Sequence, residues 1–167
     1  IGGSGTEFGY GIAVDTTGKA YITGQTNSTE STFPDGNGFD ALPGPDTTHN
    51  GFVDAFVAKV NAAGTALDYA GYIGGCGGGF GPDIGHGSAG DGTGAAHIVG
   101  QTDSTEATFP DGDGFGTLTG PDVTYNGGID AFVAKVNPAG TALAYAGYIG
   151  GSGDDFGHGI AVDSAGN

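Results

Sequence analysis

The sequence predicts an all-β protein made of four-stranded antiparallel sheets in tandem, and three observations predict it. The chain repeats itself, because residues 25–75 align without a gap to 101–151, with 39 of 51 positions identical. Glycine supplies 39 of the 167 residues. That is roughly three times the usual share, and each Gly inside a helix costs about 1 kcal/mol relative to Ala, so long helices are excluded. The apolar residues fall in short β-branched and aromatic runs bounded by turn residues, without helical periodicity. With 37% hydrophobic residues, ten Phe and seven Tyr, the chain also holds too much apolar surface for a disordered acidic tail.

Within a unit, four runs read as strands: 10–15 (YGIAVD), 20–26 (AYITGQT), 55–61 (AFVAKVN) and 66–73 (ALDYAGYI). Asp15–Gly18 joins the first two, while Asn61–Gly64 and its counterpart Asn137–Gly140 join the last two. An Asx residue followed three positions later by Gly suits a type I turn closed by a left-handed residue, so these joins are hairpins. Residues 1–72 form the first unit, 73–148 the second, and 149–167 the opening strand of a third. Ile1–Phe8 matches Ile73–Phe80 at an offset of 72, which places four additional residues between Phe80 and Gly100. A four-stranded sheet repeated radially is the β-propeller solution to exposed sheet edges. The expected fold is therefore two full β-propeller blades plus the first strand of a third, part of a larger propeller or repeat array. The GGSG segments at Gly2–Gly5 and Gly150–Gly153 carry the chain from the outer strand of one blade to the inner strand of the next.

IGGSGDDFGHGIAVDSAGN, AYITGQT and DAFVAKVNPAGTALAYAGYIGG closely resemble the SBBP-type bacterial β-propeller repeat. The resemblance spans the chain except the loops 27–52 and 103–128. It departs at Gly81–Gly100, where the inner strands of the second blade are expected to be less regular. It implies a bacterial protein exported to the cell surface or beyond, in long repeat arrays with no shared catalytic activity. A closed propeller needs about four to eight blades, roughly 300–600 residues at this period, and the chain holds about two and a quarter. The opening at Ile1 without an initiator Met is read as a segment of a longer polypeptide that supplies the other blades. The alternative is self-association, in which the strand at Gly157–Asp163 completes a sheet in a neighbouring copy.

Nineteen acidic residues against three Lys and no Arg give a formal charge of −16. That balance excludes binding to duplex nucleic acid or anionic membranes, both of which need clustered basic residues. No stretch of about 20 apolar residues would insert in a membrane. The near-identical loops carry the most suggestive chemistry. Asp35, Asn37 and Asp46 stand at relative positions 1, 3 and 12, as do Asp111, Asp113 and Asp122. Oxygen ligands at alternate positions followed by a distant carboxylate match calcium-loop spacing, although Phe39 and Phe115 take the fifth position. The same Asp-Gly and Pro-Asp pairs also build turns. Calcium is the expected cofactor of these loops.

Other motifs point to structure. His49 becomes Tyr125 in the next unit and His158 becomes Tyr10 in the first, which marks half-buried aromatic positions rather than a metal pair. Cys76 replaces Ser4 without a His or acid at nucleophile spacing. GGCGGG at 74–79 lacks the Lys-Ser/Thr of a phosphate loop. Asp154 and Asp155 are adjacent, so in a strand they point to opposite faces, and their counterparts Thr6/Glu7 and Gly78/Gly79 differ. Asn27-Ser28-Thr29 is a glycosylation sequon in form. No nucleophile, acid/base and orienter set is present, and an enzyme is not expected. The expected function is an extracellular structural repeat that forms or decorates a surface fibre, stalk or matrix. The alternative is an adhesin or lectin-like module that holds carbohydrate or protein at the loop face through Phe33, Phe39 and His49.

Overall fold

The computed structural model describes residues 1–76, 81–163 and 165–166. Among the described residues, eight strands form two separate four-stranded antiparallel sheets. β1 (Glu7–Val14), β2 (Ala20–Thr26), β3 (Asp54–Val60) and β4 (Leu67–Ile73) make the first, in that spatial order. β5 (Ile84–Gly90), β6 (Ala96–Thr102), β7 (Asp130–Val136) and β8 (Leu143–Ile149) make the second in the same meander. The hairpin glycines expected to be left-handed are so, with φ of 84° at Gly18, 69° at Gly64 and 74° at Gly140. Among the described residues, no helix is long and apolar enough to cross a membrane.

The second blade is as regular as the first. Tyr21 pairs with Ala13, and its counterpart His97 pairs with Ala89. A bulge between Gly9 and Gly11 in β1 recurs between Gly85 and Gly87 in β5. This register equates Phe8 with Ile84 and Glu7 with Asp83, both 76 residues apart. The additional residues of the second unit therefore precede β5, and the expected match of Phe8 to Phe80 does not hold in register; Phe80 itself lies outside the described residues, as do Gly78 and Gly79 of the GGCGGG segment. A second difference is at 157–163, expected as a strand. It carries no strand pairing among the described residues, whereas β1 enters its sheet by pairing with β2. The Asp155 amide donates to the Ile129 carbonyl at 2.6 Å and the Gly157 amide to the Gly100 carbonyl at 3.2 Å.

Two apolar clusters hold the sheets. One lies on the first blade, where Phe33 and Phe39 from the long loop close over Phe56, Ala58, Ala70 and Tyr72. The other joins the blades, with Tyr21, Val57, Tyr69 and Ile73 of the first packed with Ile98, Phe109, Phe132 and Tyr148 of the second. Each long loop is tied down at its start, because the Tyr72 and Tyr148 hydroxyls donate to the Ser28 and Ser104 carbonyls, both at 2.9 Å.

Candidate functional site: the junction between blades

The face that the first blade turns to the second ends in polar and aromatic side chains that meet glycines. Ser88 Oγ donates to the Tyr21 carbonyl at 2.9 Å, and Lys59 Nζ donates to the Gly94 carbonyl at 2.8 Å while lying over the Tyr21 and Tyr69 rings. A methyl group on Gly90 would stand 2.5 Å from the Tyr21 ring, and one on Gly140 would stand 2.2 Å from the Tyr69 ring. The aromatic residues fit only because the next blade presents no Cβ there.

The long loops also interlock. A methyl on Gly112 would stand 2.4 Å from Asn50 Oδ1, whereas one on the equivalent Gly36 meets nothing within 4 Å. Pro45 of the first unit lines a groove of about 310 Å³ together with Phe115, Leu118 and Leu143 of the second. The equivalent groove on the first blade, lined by Phe39, Leu42 and Leu67 with Ile1, is open and measures about 930 Å³. Every second residue of β1 is likewise open: Phe8, Tyr10, Ile12 and Val14 are 50–67% exposed. Their counterparts Ile84, His86, Ser88 and Gly90 are half-buried against the preceding blade. Tyr10, His86 and His158 form a column, with ring centroids 5.7 and 5.4 Å apart.

The expected calcium ligands divide differently from their spacing. Asp35 Oδ1 accepts from the Asn37 amide and Asp111 Oδ1 from the Asp113 amide, at 3.0 and 3.4 Å, closing their own turns. Asp46 and Asp122 close turns at the Thr48 and Thr124 amides and accept from Asn50 and Asn126 Nδ2. Burial, with the charges of Asp111 and Asp113 from the next loop, raises the Asp46 carboxyl to about 6 against its hydrogen bonds. Asp46 is thus coupled across the junction. Among the described residues, no three His, Cys, Asp or Glu side chains group to hold a metal.

The remaining expectations fall as follows. Asn27 is exposed, its Oδ1 accepting from the Thr6 amide at 2.7 Å. Phe33 is fully buried, which removes it from the set able to touch a ligand at the loop face, and Phe39 is nearly buried, with only an edge on the open groove. His49 is half-buried edge-on to Tyr72, as Tyr125 is to Tyr148. Asp154 Oδ1 accepts from the Ile129 amide and Asp155 Oδ2 from the Gly151 amide, so both acids shape the turn into the third unit.

Spacing did not single out a different set of acids. Asp54, Asp83 and Asp130 are 0–1% exposed, and each keeps its Oδ1 without a partner. Burial raises the Asp54 carboxyl to about 7 and the Asp83 carboxyl to about 8, with Asp54 adding to the effect at Asp83. The signal available in the sequence is the Asp that opens DAFVAKV in both units together with an acid at the start of each following unit.

No curated protein matches the chain. Residues 1–30 match the family model of the SBBP β-propeller repeat. That match covers the crossover, β1 and β2, the elements that the second sheet rebuilds in register. Residues 1–30 are therefore similar to an SBBP β-propeller repeat, and they belong to an all-β architecture of consecutive four-stranded antiparallel sheets.

Proposed function

We propose that the protein is a structural repeat of an extracellular, cell-surface array, in which the surface that one blade offers the next is the functional site. The observation that carries this is the groove at Phe39, Leu42 and Leu67. Its equivalent on the second blade is narrower and has Pro45 of the first unit as one wall, so the open groove offers a place for the loop of another unit. The open β1 face beside it has the residues that are covered one unit later. A contact surface reused by near-identical loops suits a fibre, stalk or matrix, with neighbouring units or further copies as partners. Calcium in the loops would oppose the −16 charge of each such segment.

The same groove offers apolar surface beside Asp35 and Asp40, and on that observation rests the second reading, an adhesin for carbohydrate or protein. Light scattering over a concentration series and electron microscopy separate the two. The structural reading expects concentration-dependent oligomers or filaments, abolished by Ile12→Lys at a position 67% exposed, where the fold loses little. A chain that stays monomeric and instead binds a glycan array favours the adhesin.

A further inference from the structure

The two blade junctions repeat one arrangement of facing carboxylates, in which Asp54, Asp83 and Asp130 are buried and Asp155 is half-buried. At the first, the Asp83 amide donates to the Val53 carbonyl at 2.9 Å, which draws the start of β5 beside the start of β3. Asp54 Oδ2 accepts from the Asn50 amide at 2.7 Å. Asp83 Oδ2 accepts from the Gly75 amide and Ser104 Oγ, both at 3.0 Å. Asp54 Oδ1 and Asp83 Oδ1 have no hydrogen-bond partner, while the Thr102 hydroxyl also lies against the Asp83 carboxyl. The two carboxylates share one space, because a methyl on Gly74 would stand 3.0 Å from Asp54 Oδ1 and 2.7 Å from Asp83 Oδ2. The Gly75 carbonyl borders it, since a methyl on Gly51 would stand 2.7 Å from that oxygen and 3.1 Å from Asp54 Oδ1.

The second junction repeats the frame. Asp155 bonds the Ile129 carbonyl through its amide, Asp130 Oδ2 accepts from the Asn126 amide at 2.9 Å, and Asp155 Oδ2 accepts from the Gly151 amide at 2.8 Å. A methyl on Gly150 would stand 2.4 Å from Asp130 Oδ1 and 2.9 Å from Asp155 Oδ2. Asp130 Oδ1 again lacks a partner. Among the described residues, the ion pairs Lys19–Asp68 and Lys135–Asp91 and the His97–Asp91 hydrogen bond lie elsewhere, so no Lys or His neutralises either pair. Two facing carboxylates, with Asp54 Oδ1 or Asp130 Oδ1 unpartnered in the shared space and glycine at its border, form an all-oxygen cradle for a hard divalent cation, to which the first junction adds the Gly75 carbonyl.

We propose that each junction binds one divalent cation, calcium by its donor set, between Asp54 and Asp83 beside the Gly75 carbonyl at the first and between Asp130 and Asp155 at the second. Calcium fits better than magnesium, because oxygen donors on separate segments of the chain give irregular geometry that the smaller ion tolerates poorly. The cation would clamp the start of β3 to the segment that leads into β5, and the start of β7 to the segment that follows β8. This site is distinct from the loop ligands Asp35, Asn37 and Asp46, and its failure would leave the structural reading standing.

The test is calorimetric titration of the chelator-treated full chain with CaCl₂, alongside thermal melting. Calcium is expected to bind and to raise the melting temperature. Asp54→Asn and Asp83→Asn are each expected to weaken the first site by about tenfold or more through loss of a charged ligand, while melting without calcium no lower than the parent. Asp46→Asn, in the loop, is expected to keep both. Should one Asn variant fail to fold, the other carries the comparison, and anomalous diffraction from Tb³⁺-soaked crystals locates the ion directly. The proposal is overturned by a chain indifferent to millimolar calcium, by Asn variants with parental affinity, by calcium lost only in Asp46→Asn, or by an ion found away from the junction carboxylates.

Discussion

Asp15 shows how much a single turn residue organises. Its Oδ1 accepts from the Thr17 amide at 2.8 Å, the Thr17 hydroxyl at 2.7 Å and the Lys19 amide at 3.0 Å, while Oδ2 accepts from the Tyr21 hydroxyl at 2.9 Å. Burial alone would raise this carboxyl, but these donors outweigh it and hold it at about 2. A carboxyl depressed in the folded state stabilises above its unfolded value of about 3.9, and that contribution disappears as the pH falls through the folded value. Asp15→Asn is therefore expected to lower stability by about 1–2 kcal/mol at neutral pH. Denaturant melts of parent and variant should converge as the pH drops from about 4 towards about 2; a gap independent of pH would assign the loss to packing instead. In the second blade the same turn is built on Asp91, which adds Lys135 and His97 as partners. The turn was legible as Asx-x-x-Gly. Its charge network was not, because Lys135 and Tyr21 reach it from other strands.

At the scale of elements, β1 and β5 have the same register but opposite requirements. Where β1 carries Ile12 and Val14, β5 carries Ser88 and Gly90, and the difference tracks the Tyr21 ring of the blade before it. Gly90→Val is expected to cost about 1–3 kcal/mol as overpacking. Tyr21→His, which copies His97, should recover part of that loss when combined with it, so a double-mutant cycle should show coupling. Strictly additive effects would mean that the ring is not what excludes the side chain. The hairpins and the pairing within a unit were readable from local spacing, since each depends on residues near in sequence. The departure of Gly81–Gly100 from the repeat reads as irregularity in sequence alone. In three dimensions it is adaptation to a neighbour, and no window shorter than the unit contains that neighbour. Asp54 and Asp83 escaped notice for a related reason: they meet only where one sheet ends and another starts, and their spacing follows no metal motif.

For the whole molecule, sixteen net negative charges on two thin sheets place electrostatic self-repulsion against a core shared between blades. Exposed like charges are screened within about 10 Å at 0.1 M salt. The melting temperature should therefore rise between low salt and about 0.5 M NaCl, measured by calorimetry, with most of the rise complete once the screening length falls below about 10 Å. A melting point insensitive to sodium chloride would show that the charges are too widely spaced to matter. The fit of Tyr21 to Gly90 has a further consequence for any array made of such units. The loops are nearly interchangeable, yet the inner strands are not: a unit that opens with Ile and Val, as the first and third do, has no room behind a blade that ends its junction in Tyr21. Deleting the second unit, so that Ile160 and Val162 followed the first blade, would bring side chains against a ring that now rests on bare backbone. The order of the blades is thus written into their contact faces, and shuffling them would yield words the fold cannot spell.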